Sequence, residues 1–148
     1  MDDAAAAHAI IDGTAYMTLA TADADGVPWA TPVWFAPDDD RRFYWVSDPG
    51  ARHSRNLAAR SQLSLVIFDS HAAISTGQGV YVAARADQPA GDELEHGISV
   101  FSARALAQGG RAWTAADVTD GARLRLYRAT AVERWIGNRE DKRTPLPG

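Results

Sequence analysis

Three strand-forming runs separated by short turn clusters fill the first fifty residues, leaving no room for helical crossovers between them. Tyr16 to Thr21 (YMTLAT) is rich in strand formers and leads into the turn cluster Ala22-Asp23-Ala24-Asp25-Gly26. Val27 to Phe35 (VPWATPVWF) reads as a second strand. Pro28 and Pro32 cannot donate to a ladder, so that strand belongs at a sheet edge or a bulge. An acidic DDDRR turn then leads into Phe43 to Ser47, a third strand. Two successive hairpins of this kind predict an antiparallel meander.

The rest of the chain adds three strands and short helices. Residues 4–12 (AAAAHAIID) predict a helix closed by Gly13, with Ile10 and Ile11 placed to cap an open barrel end. ARHSRNLAAR (51–60) has helical character, and 63–69 (LSLVIFD) and Gln78 to Arg85 (QGVYVAAR) are strands. Residues 91–106 form a helix on a stripe of Leu94, Ile98, Phe101 and Leu106, with Asp92 and Glu93 at its N-terminus. Thr114 to Asp117 has the form of a capped helix start. In the last strand, Arg123 to Ile136, Leu124, Leu126 and, after a break, Val132 face one way, and Arg123, Arg125 and Tyr127 the other. The chain therefore reads as one mainly β domain over 1–148, a six-stranded antiparallel barrel with a few short helices. The alternating βαβ pattern of a doubly wound sheet is missing.

Charge and composition narrow the function. The formal net charge is −4, so the phosphate-neutralising surface of a general nucleic-acid binder is not expected. No apolar run approaches the ~20 residues that span a bilayer. The first residues, MDDAAAAHAIIDG, carry two acids and no basic n-region, so no signal peptide is read and a cytoplasmic protein is expected. Cysteine is absent, which removes disulfides and thiolate metal sites. Lys142 is the only lysine, so any phosphate site must use arginine, backbone amides, hydroxyls or histidine.

Four segments could carry chemistry. In FYWVSDPGARHSRNL (43–57) a strand ends on a hydroxyl and enters a helix bearing Arg52, His53, Arg55 and Asn56. A helix N-terminus offers free N–H groups to an anion, and arginine and serine add donors; the alternative is a solvated, arginine-rich helix face. PWATPVWF (28–35) could lie along a planar ring or serve as a core strand. Gln78 could bond a ring heteroatom or simply face solvent. Trp135 in VERWIGNR, with Arg139 after it, could close over a ligand or pack a terminal strand. Other chemistries lack their patterns. His8, His53, His71 and His96 have no metal-ligand spacing, and neither a G-x-S-x-G elbow nor a P-loop is present. Asp38-Asp39-Asp40 lacks the glycine and glutamate of a calcium loop and reads as a solvated hairpin tip.

In order and spacing, YMTLATADADGVPWATPVWF, FYWVSDPGARHSRNL with LSLVIFD, GQGVYVAARA and RLYRATAVERW resemble the pyridoxamine 5′-phosphate oxidase-like, FMN-binding split-barrel family, over roughly residues 14–139. The resemblance implies a split barrel and a homodimer with two cofactors at the subunit interface. It implies that Ala30, Thr31, Pro32, Val33 and Trp34 run along the flavin ring and ribityl chain, and that Val46, Ser47, Arg52 and His53 hold the phosphate, with Asn56 on the same helix. Gln78 falls at a glutamine that approaches the ring from the other subunit. Trp135 falls at a tryptophan near the flavin, and Arg139 close to a family arginine. Thr31 stands where the vitamin B6 oxidases have a phosphate-binding arginine, His53 where they have lysine, and their R-L-H-D-R signature is absent. The expectation is therefore an FMN-dependent oxidoreductase acting on a small-molecule substrate other than a vitamin B6 phosphate. A deazaflavin coenzyme in place of FMN and a non-catalytic flavin carrier or sensor are the alternatives. No general acid or base is assigned; His53 could serve only if phosphate does not occupy it.

Overall fold

A computed structural model describes residues 1–138 and 140–148. The strands are β1 (Tyr16–Ala22), β2 (Pro28–Trp34), β3 (Ala36–Asp38), β4 (Arg42–Ser47), β5 (Gln62–Phe68), β6 (Gly79–Asp87), β7 (Arg125–Gly137) and β8 (Arg143–Pro145). The helices are α1 (Asp3–Asp12), α2 (Arg52–Ala59) and α3 (Asp92–Ala107), and a 3₁₀ turn spans Ala115–Val118. All strand pairing is antiparallel, in the order β2-β1-β5-β6-β7-β4-β3 with β8 on β7. The sheet curls into a split barrel. The expected six strands are its six long members; the three-residue β3 and β8 are too short to show a period of two.

The expected second hairpin, pairing Val27–Phe35 with Phe43–Ser47, does not form, because the short β3 takes that place on β4, and there is no continuous meander. β1–β2 lies at one end of the sheet and β3–β4 at the other, so β2 and β4 approach across the split without pairing. β2 is an edge strand, which is why it tolerates Pro28 and Pro32.

Alternation sends side chains into two separate cores. Phe43, Trp45, Tyr127 and Ala129 point into the barrel with Met17, Leu19, Leu65, Ile67 and Val82, and Ile11 of α1 plugs one end. Tyr44 and Leu126 point outward into a second core with Ile98 and Phe101 of α3. Leu126 and Tyr127 thus alternate as expected, yet both are buried. Val132 breaks the pattern: it is the extra residue of a β7 bulge opposite Ala83 and Ala84, and it is 64% exposed. The α3 stripe runs through Leu94, Ile98, Phe101 and Ala105; Leu106 lies one residue off the face, exposed. α3 can sit this close because Gly97 faces Tyr44, where a Cβ would come within 2.7 Å of the ring. The Thr114–Asp117 capping box forms, but it starts only the single 3₁₀ turn.

Candidate functional site

The split between β2 and β4 opens into a cleft of about 770 Å³, roofed by α3 and the loop after it. Pro32, Val33 and Trp34 of β2, Val46 and Ser47 of β4, and His53 of α2 line one half. Phe101, Ala105, Gln108, Arg111, Trp113 and Leu124 line the other. That volume falls within the range of cofactor sites.

At the α2 end, the Ser47 hydroxyl and His53 Nε2 lie 2.8 Å apart, both residues buried. Burial pushes the His53 pKa below its ordinary 6.5, so the imidazole is neutral at neutral pH and either partner can donate. No side chain caps the first turn of α2, and the buried Ser54 hydroxyl has no partner among the described residues. Arg52 does not line the cleft. Its guanidinium stacks over Trp29 at 4.2 Å, on the exposed side of the β2–α2 junction. Asn56 turns inward and is buried, its amide donating to Thr21 Oγ1 at 3.1 Å, and that hydroxyl in turn donates to the Trp29 carbonyl at 3.5 Å. Arg55 donates to the Gly50 carbonyl and Arg60 to that of Ala24 at 3.3 Å.

At the α3 end, aromatic rings form a continuous wall. Trp34 meets Phe101 edge-on at 4.9 Å, and Phe101 meets Trp113 edge-on at 5.4 Å. The Trp34 indole N–H donates to Gln108 Oε1 at 2.7 Å. Arg111 lies 3.7 Å over the Trp113 ring, with Nη1 donating to the Ala112 carbonyl at 3.0 Å and to Asp117 at 3.4 Å.

Of the residues singled out from sequence, the structure brings Pro32, Val33, Trp34, Val46, Ser47 and His53 to the cleft. Ala30 and Thr31 precede them on the β2 edge. Gln78 and Trp135 lie elsewhere. Gln78 donates to the Gly137 carbonyl at 3.0 Å, and Trp135 lines a groove of about 280 Å³ on the outer sheet face with Thr18, Ser64 and Tyr81. Arg139 lies outside the described residues. Sequence reasoning missed Gln108, Arg111 and Trp113, although the Gly109-Gly110-Arg111-Ala112-Trp113 run carried a signal: a glycine turn presenting an arginine and an aromatic. Among the described residues, no group of three or more His, Asp or Glu side chains could hold a metal ion. No described helix is long and apolar enough to cross a membrane.

A curled antiparallel barrel split between two edge hairpins, with its cleft at the split, defines the class of the fold as a split barrel. The chain belongs to the pyridoxamine 5′-phosphate oxidase family, whose model matches residues 4–137. Among solved structures it is similar to a heme-binding protein from Mycobacterium smegmatis, with a TM-score of 0.76 and 22% identity over 95% of this chain. This chain spans only 55% of that protein's length. It is also similar to the heme storage protein HutZ from Vibrio cholerae (TM-score 0.68, 20% identity, 88% of this chain and 91% of that one). An FAD-binding protein from Mesorhizobium loti gives a TM-score of 0.65 at 19% identity, covering 91% of this chain and 92% of that one. No curated protein matches the sequence.

Proposed function

We propose that this chain is one FMN-binding domain that works in the cytoplasm as a homodimeric oxidoreductase on a small-molecule substrate. The observation that carries the reading is the strand-to-helix junction. The buried Ser47–His53 pair stands at the head of an uncapped helix and opens into a large, mostly apolar cleft beside an edge strand. An uncapped helix start and a hydroxyl suit a phosphate group. Arg52 can reach it by leaving the Trp29 face, a contact worth only about 0.5–1 kcal/mol at an exposed site. Pro32, Val33 and Trp34 offer an apolar strand edge for a planar ring. When bound, FMN supplies two-electron redox chemistry, while the polypeptide supplies position and electrostatics. His53, neutral and engaged with Ser47, is the cleft's titratable group on the phosphate side.

Two further observations support a dimer. The outer face of β1, β5, β6 and β7 presents Thr18, Ala20, Ser64, Val66, Tyr81 and Trp135 with no helix over it among the described residues, and Tyr16 and Phe68 are exposed on the same strands. Trp135 sits on that side of the sheet and Gln78 bonds the Gly137 carbonyl, both outside the cleft, an arrangement that suits delivery to a second copy's site. The deazaflavin reading needs an arginine-lined groove beyond the phosphate. Arg55 and Arg60 are instead spent on backbone carbonyls, so FMN is the favoured cofactor.

Absorption spectroscopy of the purified protein, with mass analysis of the released chromophore, tests the proposal. Oxidised-flavin bands and the FMN mass are the expected result. A deazaflavin mass would move the assignment to that coenzyme, a porphyrin spectrum would move it to heme, and failure of the colourless protein to take up FMN would remove the flavin reading altogether.

A further inference from the structure

We propose that the α3 end of the cleft is a recognition site for a planar aromatic monocarboxylate, held by Arg111 and Gln108 against the wall of Trp34, Phe101 and Trp113. The proposal deepens the flavin reading, resting on it for the reaction but not for the site itself.

The chemistry begins with the Trp34–Gln108 hydrogen bond. An indole nitrogen can only donate, so Gln108 must present its carbonyl oxygen to it at 2.7 Å. That fixes the amide orientation, and the Gln108 NH₂ group, which has no protein partner among the described residues, is left to donate within the cleft that this residue lines. Arg111 is fixed in a comparable way. Stacking on Trp113 sets the plane of the guanidinium, and Nη1 is spent on the Ala112 carbonyl and Asp117. Its Nε and Nη2 have no protein partner among the described residues, and this is the edge that pairs with two oxygens of a planar anion.

Charge selects the anion. Asp117 lies 3.4 Å from Arg111, and the histidine lining the cleft, His53, is neutral. A dianionic phosphate monoester would meet one partly compensated cation there. A carboxylate, with a single charge and two coplanar oxygens, matches one arginine edge and one amide. The wall selects the rest: three aromatic rings and Leu124 offer apolar area to a flat hydrocarbon or heteroaromatic ring and nothing to an aliphatic polyol.

Calorimetric titration of the 148-residue protein with sodium benzoate, both as purified and after saturation with FMN, tests the site. Saturable benzoate binding is expected, with phenyl phosphate and cyclohexanol weaker. Arg111→Ala should lower benzoate affinity at least tenfold without moving the urea midpoint, because the Arg111 side chain is 58% exposed. Arg111→Lys, which keeps the charge but loses the two-donor edge, should recover only part of that loss. Undiminished benzoate binding in Arg111→Ala, equal binding of phenyl phosphate, or no binding by the wild-type protein would each overturn the proposal. Benzoate binding in a protein that takes up no FMN would retain this site while removing the flavin reading.

Discussion

The two ends of the cleft are built in opposite ways. The α2 end is polar and buried: a hydroxyl, a neutral imidazole and the start of a helix, all from the single stretch between Ser47 and Ser54. The α3 end is aromatic and open, and its parts come from four places in the chain. Trp34 and Gln108, hydrogen-bonded to each other, are 74 residues apart. A group that must be fixed and dried, such as a phosphate, suits the first construction. A site that must admit and release a substrate suits the second, since exposed donors exchange readily with water. On the proposed reading, cofactor retention and substrate choice fall at opposite ends of one groove.

That separation can be broken by mutation, and the largest effect belongs to Phe101. Its ring joins Trp34 to Trp113 and packs in the outer core, so Phe101→Ala should cost about 3–5 kcal/mol of stability in urea unfolding. A loss under about 1 kcal/mol would mean that α3 is not held by this wall. Arg52→Ala should weaken FMN binding by about 1.5–3 kcal/mol while leaving the urea midpoint nearly unmoved, because Arg52 is exposed and its guanidinium lies on the Trp29 ring; unchanged affinity would take Arg52 out of the phosphate site. Gly97→Ala forces a Cβ against Tyr44 and should destabilise by about 1–3 kcal/mol, shifting the α3 end and sparing FMN affinity. If FMN affinity fell equally, the two ends would not be separable.

The smallest expected effect is a pH dependence. His53 is disfavoured as a cation in the fold, so the unfolded chain binds a proton that the folded chain resists. Its contribution is present above 6.5 and lost as pH falls below that value. His8, exposed and hydrogen-bonded to Asp40 at 2.8 Å, has the opposite sign: its raised pKa adds stability at low pH that is lost as pH rises. His53→Gln should therefore flatten the acid-side fall in urea midpoint and leave the His8 trend visible. An identical acid-side slope in both proteins would show that His53 is not the responsible group.

What the sequence revealed follows the same division. The α2 end was legible because its residues are contiguous: a strand ending in Ser47, a Pro-Gly turn and a helix bearing His53 announce themselves in fifteen letters. Strand-forming runs between turn clusters likewise exposed the six long strands, and the helix closed by Gly13 exposed the barrel-capping place of Ile11. The α3 end was not legible, because nothing local says that Trp34 faces Gln108 or that Phe101 spans two tryptophans. Those contacts exist only once β2 and β4 stand on opposite sides of the split. Arg52 and Asn56 show the limit within the legible region. Helical spacing placed both on α2, but tertiary partners decided that one stacks on Trp29 and the other turns inward to Thr21. Gln78 and Trp135 lie away from the cleft, one bonded to the Gly137 carbonyl and the other lining the outer-face groove.

The central claim, that the α2 end is a phosphate site for a flavin nucleotide, is tested most directly by comparing FMN with riboflavin, which differ only in the phosphate. Fluorescence titration of the wild-type protein should show FMN binding more tightly than riboflavin by at least tenfold, with the gap narrowing in both Ser47→Ala and Arg52→Ala. Equal affinity for the two flavins in the wild-type protein, or a gap that neither substitution changes, would contradict it.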